Sequence, residues 1–178
     1  MTQEDDEDKR QKPDVDIREM EIDDVSPVYH LGEVLFTSDE FPILYRTWDP
    51  FEVTDYFTSD PRYCFVAEAE DKIVGFILAE TVEKEGTAWK KYGYLSWIGV
   101  AEDYQRTNLG QRLYRRLEER LKKDGIRMMI ADTDVENDGA IAFFKAMKFS
   151  LTSKHQWMVK TLKRPKKAAK QNNNNHIK

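Results

Sequence analysis

A polar loop between a predicted strand and a predicted helix has the residue types of a phosphate-binding site. The strand is the apolar segment 92–101, and the helix is amphipathic, with Leu113, Leu117 and Leu121 at a spacing of four residues. A helix start carries unpaired amide donors and about half a positive charge, so it favours an anion. Gly110 at this point lacks a Cβ and would let phosphates approach the backbone closely.

Polar side chains on neighbouring predicted strands could take a proton from a nucleophile. Asp132 and Asp134 share one face of the fifth predicted strand, and Glu80 lies late on the third. Tyr94 and Ser96 lie on the fourth and could hold a water molecule. We take Asp132, Ser96, Tyr94 and Glu80 as the catalytic candidates. A polar residue at a strand end that merely faces solvent is the alternative for each of them.

The elements that would position these residues alternate between strands and helices. Predicted strands lie at 15–20, 62–70, 72–83, 92–101, 126–135, 149–151 and 156–162. Predicted helices begin at Asp23 or Asp24, lie in one or two pieces at 40–46 and 51–58, run from Gly110 to Gly125, and span 137–147. This order predicts one α/β (α+β) domain, with a mixed central sheet of about seven strands flanked by about four helices.

Composition predicts a folded domain between two charged tails. The chain has 178 residues, of which 40% are hydrophobic, and this is enough for one core. We expect a disordered acidic tail at 1–13, the domain at 14–162, and a disordered basic tail at 163–178. A basic tail can also bind nucleic acid, but nothing in the folded region favours that role. Nucleic-acid binding by the basic tail is therefore kept only as a rival interpretation.

Other classes of protein do not fit the sequence. No apolar run approaches the roughly 20 residues that cross a bilayer, and residues 1–13 are polar, so we expect neither a membrane span nor a secretory signal. A single cysteine, Cys64, cannot form an internal disulfide framework or a zinc cluster. The Gly-x-Gly-x-x-Gly pattern of dinucleotide-binding folds is absent. We expect a cytoplasmic protein without a metal; a homodimer is one alternative for its assembly.

The loop before the amphipathic helix resembles a motif of the GNAT superfamily of N-acetyltransferases. That superfamily carries Gln/Arg-x-x-Gly-x-Gly/Ala between its fourth strand and third helix, and this chain has Gln105, Asn108 and Gly110 at those positions. Asn108 replaces the first glycine. Asparagine is the residue that best tolerates left-handed backbone after glycine, so the exchange is compatible with the loop.

A second stretch resembles the same superfamily, in which Asn-x-x-Ala-x-x-Phe-Tyr-x-x-x-Gly-Phe is typical. The matching positions are Asn137, Ala140, Phe143 and Phe149. Phe144 replaces the tyrosine and Lys148 replaces the glycine. The resemblance covers residues 15–162 and is strongest over 94–149.

The resemblance implies acetyl-CoA as the co-substrate and strands four and five that splay to admit it. The backbone of Ile98 and Val100 would pair with the pantetheine arm, and the loop would hold the pyrophosphate. Asn137 would lie near the pantetheine and Phe144 beside the thiol. The residues so assigned are Ile98, Gly99, Val100, Gln105, Arg106, Thr107, Asn108, Leu109, Gly110, Gln111, Asn137 and Phe144.

The implied reaction is transfer of an acetyl group to a primary amine, by direct attack in a ternary complex. The acceptor could be a protein N-terminus, a lysine or a small amine, and the acidic, aromatic region 36–58 would form its wall unless those aromatics are core. Phe144 cannot protonate the leaving thiolate, so Tyr94 or water would do so, or the thiolate leaves unaided. A non-catalytic acyl-CoA-binding protein of the same fold is the alternative.

Overall fold

Five strands and four helices make up the part of the chain that this computed structural model describes, which is residues 14–36, 48–86, 90–153 and 160. The strands are β1 (Asp16–Glu19), β2 (Cys64–Ala69), β3 (Lys72–Glu83), β4 (Lys91–Val100) and β5 (Met129–Ala131). The helices are α1 (Val25–Phe36), α2 (Pro50–Ser59), α3 (Leu109–Lys123) and α4 (Asp138–Ala146). Short 3-10 turns occupy Ile22–Asp24, Pro61–Tyr63 and Glu102–Tyr104.

The strands form one mixed sheet in the order β1-β2-β3-β4-β5. Strands β1 to β4 pair antiparallel with one another, and β5 runs parallel to β4. The predicted hairpin of β2 and β3 is confirmed, with Glu70 and Asp71 in its tight turn at φ values of 50° and 60°. Positive φ at both turn residues matches the twist of a two-residue hairpin. The predicted mixed α/β architecture is therefore confirmed.

Helix α3 packs on one face of the sheet through the leucines that the sequence singled out. Leu113 and Leu117 are completely buried and Leu121 almost so. The helix is followed by Gly125, whose φ of 78° provides the left-handed residue typical of a helix end. This face forms one of two core layers, together with Leu95 of β4.

Helices α1 and α2 cover the opposite face around an aromatic cluster of Phe36, Trp48, Phe76 and Trp97. The Trp48 ring centroid lies 5.0 Å from that of Trp97 and 5.4 Å from that of Phe76. Trp48 and Phe36 are thus core residues rather than a ligand-facing rim, whereas Phe51 is exposed. Within the described ranges, no helix is long and apolar enough to cross a bilayer.

The last predicted strands differ from the structure. Residues 149–151 form no strand, because Lys148 adopts a φ of 72° and Phe149 packs against Tyr114 and Phe144 instead. The predicted strand 126–135 shortens to β5, since Ile126 closes the end of α3 and Asp134 caps a turn.

Three other predictions fall on residues that the structure does not describe. They are the helix 40–46, the strand 156–162 apart from Lys160, and the tails at 1–13 and 163–178. The boundaries of the domain and its tails stay predictions.

Two helical glycines provide a matched test of this packing. A Cβ on Gly32 would lie 2.1 Å from the Trp48 ring, whereas a Cβ on Gly139 would meet only Asn137 Oδ1 at 3.7 Å. We expect Gly32→Ala to lower the free energy of unfolding by about 2 kcal/mol through overpacking. Gly139→Ala should leave it unchanged or raise it by up to about 1 kcal/mol, because alanine favours helix. Equal denaturant midpoints for the two variants would contradict the placement of Trp48.

Candidate active site

Strands β4 and β5 part soon after they begin to pair. Their ladder consists of the pairs Gly93–Met129, Tyr94–Ile130 and Leu95–Ala131. Strand β3 continues to pair with β4 as far as Val100. Among the described residues, the segment 96–100 therefore has a strand on one side only. Its other edge can hydrogen-bond to an extended ligand, as an added strand would.

A β-bulge in β4 marks the point where the two strands part. Leu78 pairs with Trp97 and Ala79 with Leu95, so Ser96 is the extra residue. Bulges redirect side chains and are frequent beside active sites. Here Trp97 joins the aromatic cluster on the α1 and α2 face, while Ile98 contacts the core under α3. Ser96 itself is buried, with 6% of its surface exposed.

The loop from β4 to α3 is held by local hydrogen bonds. The Gln105 side-chain Nε2 donates to Val100 O at 3.1 Å, and Thr107 Oγ1 donates to Tyr104 O at 2.6 Å. Arg106 and Asn108 adopt φ values of 61° and 63°, in the left-handed region. Asn108 thus occupies the kind of backbone position for which glycine is otherwise used.

The start of α3 leaves backbone donors without a helical partner. The first backbone bond that enters the helix runs from Arg112 N–H to Asn108 O at 3.0 Å, so the amides of residues 109–111 have no acceptor inside α3. A cavity of about 220 Å³ opens at this point. It is lined by Val100, Tyr104, Gln105, Arg106, Asn108, Leu109, Gly110, Gln111 and Phe143.

Gly110 lines this cavity without a side chain of its own. A Cβ at Gly110 would lie 3.4 Å from Phe143 Cε2 and 3.8 Å from Val100 Cγ2, which are ordinary contact distances. An alanine would therefore fit, but a longer side chain would have to occupy the cavity. Phe143 on α4 forms the facing wall. The sequence analysis assigned neither Phe143 nor Tyr104 to the site. The match of Phe143 to the family motif could have assigned it, whereas no sequence signal pointed to Tyr104.

Helix α4 places the other two residues that the resemblance assigned to acetyl-CoA. Asn137 caps this helix, its Oδ1 accepting from Ala140 N–H at 3.0 Å. Phe144 packs against Phe143 and Phe149, with ring centroids 5.4 Å and 5.2 Å apart. Phe143, not Phe144, belongs to the cavity lining. The roles of Asn137 and Phe144 toward acetyl-CoA stay predictions.

Three of the four catalytic candidates form a row on the α1 and α2 face of the sheet. Glu80 and Tyr94 are direct partners across β3 and β4, and cross-strand partners share a face. Because Leu95 points into the core under α3, Tyr94 points to the opposite face. The Tyr94 hydroxyl donates to the Asp132 carboxylate, just beyond β5. Ser96 lies further along β4, at the bulge.

Other titratable side chains lie away from this row. Asp134 Oδ1 accepts from Glu136 N–H at 2.8 Å and so stabilises a turn. His30 pairs with Glu33 on the surface of α1. Burial raises the pKa of the Cys64 thiol to about 12, which makes it a poor nucleophile. No group of three metal-ligating side chains occurs in the ranges that the structure covers.

The backbone of Asn108 gives a testable prediction. A residue with a Cβ but no compensating side chain is strained at a φ of 63°. We expect Asn108→Ala to lower the free energy of unfolding by about 1 kcal/mol, and Asn108→Gly to change it by less than about 0.5 kcal/mol. Chemical denaturation measures both. Equal stability of the two variants would contradict a left-handed residue at this position.

Comparison with known proteins agrees with this geometry. The profile of the "Acetyltransferase (GNAT) family" matches residues 34–149. The N-alpha-acetyltransferase 30 of Schizosaccharomyces pombe is 22% identical over 89 residues, which are 50% of this chain and 58% of that protein. The probable N-acetyltransferase 14 of Xenopus tropicalis is 26% identical over 121 residues, 67% of this chain and 56% of that protein. The chain thus matches less than two thirds of either relative.

Solved structures share the fold. The aminoglycoside N-acetyltransferase AAC(6')-Iy in complex with CoA superposes with a TM-score of 0.67 at 19% identity, covering 86% of this chain and 99% of that chain. The family profile spans well over half of the sequence, including the loop, the parted strands and α4. The chain therefore belongs to the GNAT family of acetyltransferases.

Proposed function

We propose that this chain transfers the acetyl group of acetyl-CoA to a primary amine by direct attack in a ternary complex. The cavity at the start of α3 is the observation that carries the proposal. Residues 109–111 line it, and their amides have no helical acceptor, which suits a pyrophosphate. Family membership gives independent support.

The described residues fit acetyl-CoA. The amides of residues 109–111 and the side chain of Arg106 would hold the pyrophosphate, because phosphate is bound well by helix starts and by arginine. The open edge of β4 at Ile98 and Val100 would hydrogen-bond the extended pantetheine arm. Acetyl-CoA supplies the thioester carbonyl that the amine attacks.

The row of Glu80, Tyr94 and Asp132 provides the proton chemistry. An amine must be neutral to attack, so a base has to remove its proton. Asp132 is the proposed base. Tyr94 donates a hydrogen bond to Asp132 and lies on β4 one residue before the last β4–β5 pair. The new C–N bond forms as the C–S bond breaks, and the thiolate takes up a proton. Phe144 has none to give, so we assign that donation to Tyr94 or to water.

The acceptor is proposed only as a primary amine. One relative is named an N-alpha-acetyltransferase, and one solved neighbour acts on aminoglycosides. An acetyl-transfer assay should therefore include protein N-termini, lysine side chains and small amines as acceptors. The alternative is an acyl-CoA-binding protein without turnover, which the replacement of tyrosine by Phe144 favours. Acetyl-CoA binding without transfer to any amine of such a panel would establish the alternative.

Acetyl-CoA should raise the melting temperature of the protein. A ligand at 100 times its dissociation constant stabilises by about 2.7 kcal/mol, which corresponds to roughly 5–10 °C for a domain of this size. We expect Gly110→Glu to abolish this shift, because its carboxylate would occupy the cavity and repel phosphate. Thermal unfolding with and without acetyl-CoA measures the effect.

Two variants control for fold and charge. Gly110→Ala should keep the fold, because its Cβ meets only ordinary contacts. Ser26→Glu adds the same charge at an exposed position on α1, on the other side of the sheet. We expect Ser26→Glu to keep the full acetyl-CoA shift. An unchanged shift in Gly110→Glu would refute the site.

Asp132→Asn should lower kcat/KM for the acceptor amine by about 100-fold or more, because general base catalysis contributes on this scale. Asp134→Asn is the matched control: it lies two residues away and serves a turn. We expect its kcat/KM to stay within about threefold of the wild type, since its carboxylate already accepts the Glu136 amide in that turn. Steady-state kinetics with saturating acetyl-CoA measures both. Equal losses in the two variants would exclude Asp132 as the specific base.

A further inference from the structure

Helix α2 is tied to β4 by a hydrogen bond between a carboxylate and an indole. Trp97 Nε1–H donates to Glu52 Oε2 at 2.9 Å. The indole belongs to a residue that is 5% exposed, so its N–H needs a protein acceptor. A charged acceptor makes this bond stronger than one between neutral groups.

The first turn of α2 holds Glu52 in place. Asp49 Oδ1 accepts from the amides of Phe51 and Glu52 at 2.8 Å and 3.1 Å, and Pro50 begins the helix. Proline at this position is pre-organised for helix and has no amide to leave unpaired. The Glu52 side chain therefore extends from a well-defined backbone toward the sheet.

Trp97 is the residue directly after the bulge in β4. Its ring centroid lies 5.0 Å from that of Trp48 and 4.9 Å from that of Phe36. The aromatic cluster fixes the plane of the indole, and Glu52 fixes the direction of its N–H. Together they hold one face of the bulge against α1 and α2.

The bulged segment depends on such contacts more than the rest of β4 does. Among the described residues, positions 96–100 pair with β3 alone, because the ladder to β5 ends at Leu95. Besides the pairing with β3, packing against the helices then sets where this segment lies. Its neighbour Ile98 is where the proposed function places the pantetheine arm.

We propose that Glu52 and Trp97 are positioning residues for acetyl transfer. Glu52 holds the Trp97 indole, and Trp97 holds the bulge. The open edge of β4 then binds the pantetheine arm so that the thioester lies in the correct place. This inference rests on the proposed function. Neither residue needs to touch the reacting atoms. Glu52 acts by accepting the hydrogen bond of the Trp97 indole.

The test compares Glu52→Ala with Glu52→Gln. Alanine removes the acceptor, whereas glutamine retains an oxygen that can accept the same indole bond but carries no charge. We expect Glu52→Ala to lower kcat about tenfold, since a small displacement of a bound reactant is costly for rate. Glu52→Gln should keep kcat within twofold. The acetyl-CoA thermal shift should persist in both, because the α3 cavity is remote from α2.

Trp97→Phe provides the second half of a double-mutant cycle, since it removes the donor and keeps an aromatic ring. We expect its loss of kcat to match that of Glu52→Ala, and the double variant to lose no more than Trp97→Phe alone. Additive losses would overturn the proposal. An equal loss in Glu52→Gln and Glu52→Ala would also overturn it and would indicate that the charge of Glu52 acts on the acceptor.

The two glutamate variants decide the matter even when Trp97→Phe does not fold. A Glu52→Ala protein with a lower melting temperature but unchanged kcat would show that the bond is merely structural, and this would contradict the proposal. A wild type that shows neither an acetyl-CoA shift nor turnover would instead refute the proposed function. The two failures are therefore distinguishable.

Discussion

The parting of β4 from β5 is the constraint on which the rest of this structure depends. A sheet normally satisfies the backbone donors and acceptors of an inner strand on both sides. In this sheet the β4–β5 ladder stops at the Leu95–Ala131 pair, while β3 continues alongside β4 to Val100. The extra residue at Ser96 turns the strand at this point. Among the described residues, the backbone groups on the open edge of β4 have no strand partner, and an extended ligand arm could pair with them.

Strand β4 links the two halves of the proposed chemistry. Beyond its end, the loop to α3 and the first turn of that helix line a cavity beside backbone donors that have no helical acceptor. Near its beginning, Tyr94 joins Glu80 and Asp132 on the face of α1 and α2. A ligand that lies along the open edge would therefore reach from the helix start proposed to bind the pyrophosphate to the row proposed to transfer protons.

Local signals in the sequence predicted much of the fold and the position of the loop before α3. The leucines of α3 and the turn at Glu70 and Asp71 need only short-range periodicity and turn chemistry, and both were found as predicted. Features that depend on residues far apart in the sequence were not predicted. The bulge depends on how Leu78 meets Trp97, and the Glu52–Trp97 bond joins residues 45 positions apart. The predicted strand at 149–151 was wrong, because Phe149 packs against Tyr114 and Phe144 instead.

Amide hydrogen exchange in the presence of acetyl-CoA tests the central claim most directly, because it reads the backbone donors themselves. Acetyl-CoA should slow exchange at residues 106–111 and along the open edge of β4, with little change in α2. Exchange that stays fast at 106–111 in the saturated protein would contradict this claim, since the helix start could not then be holding the pyrophosphate.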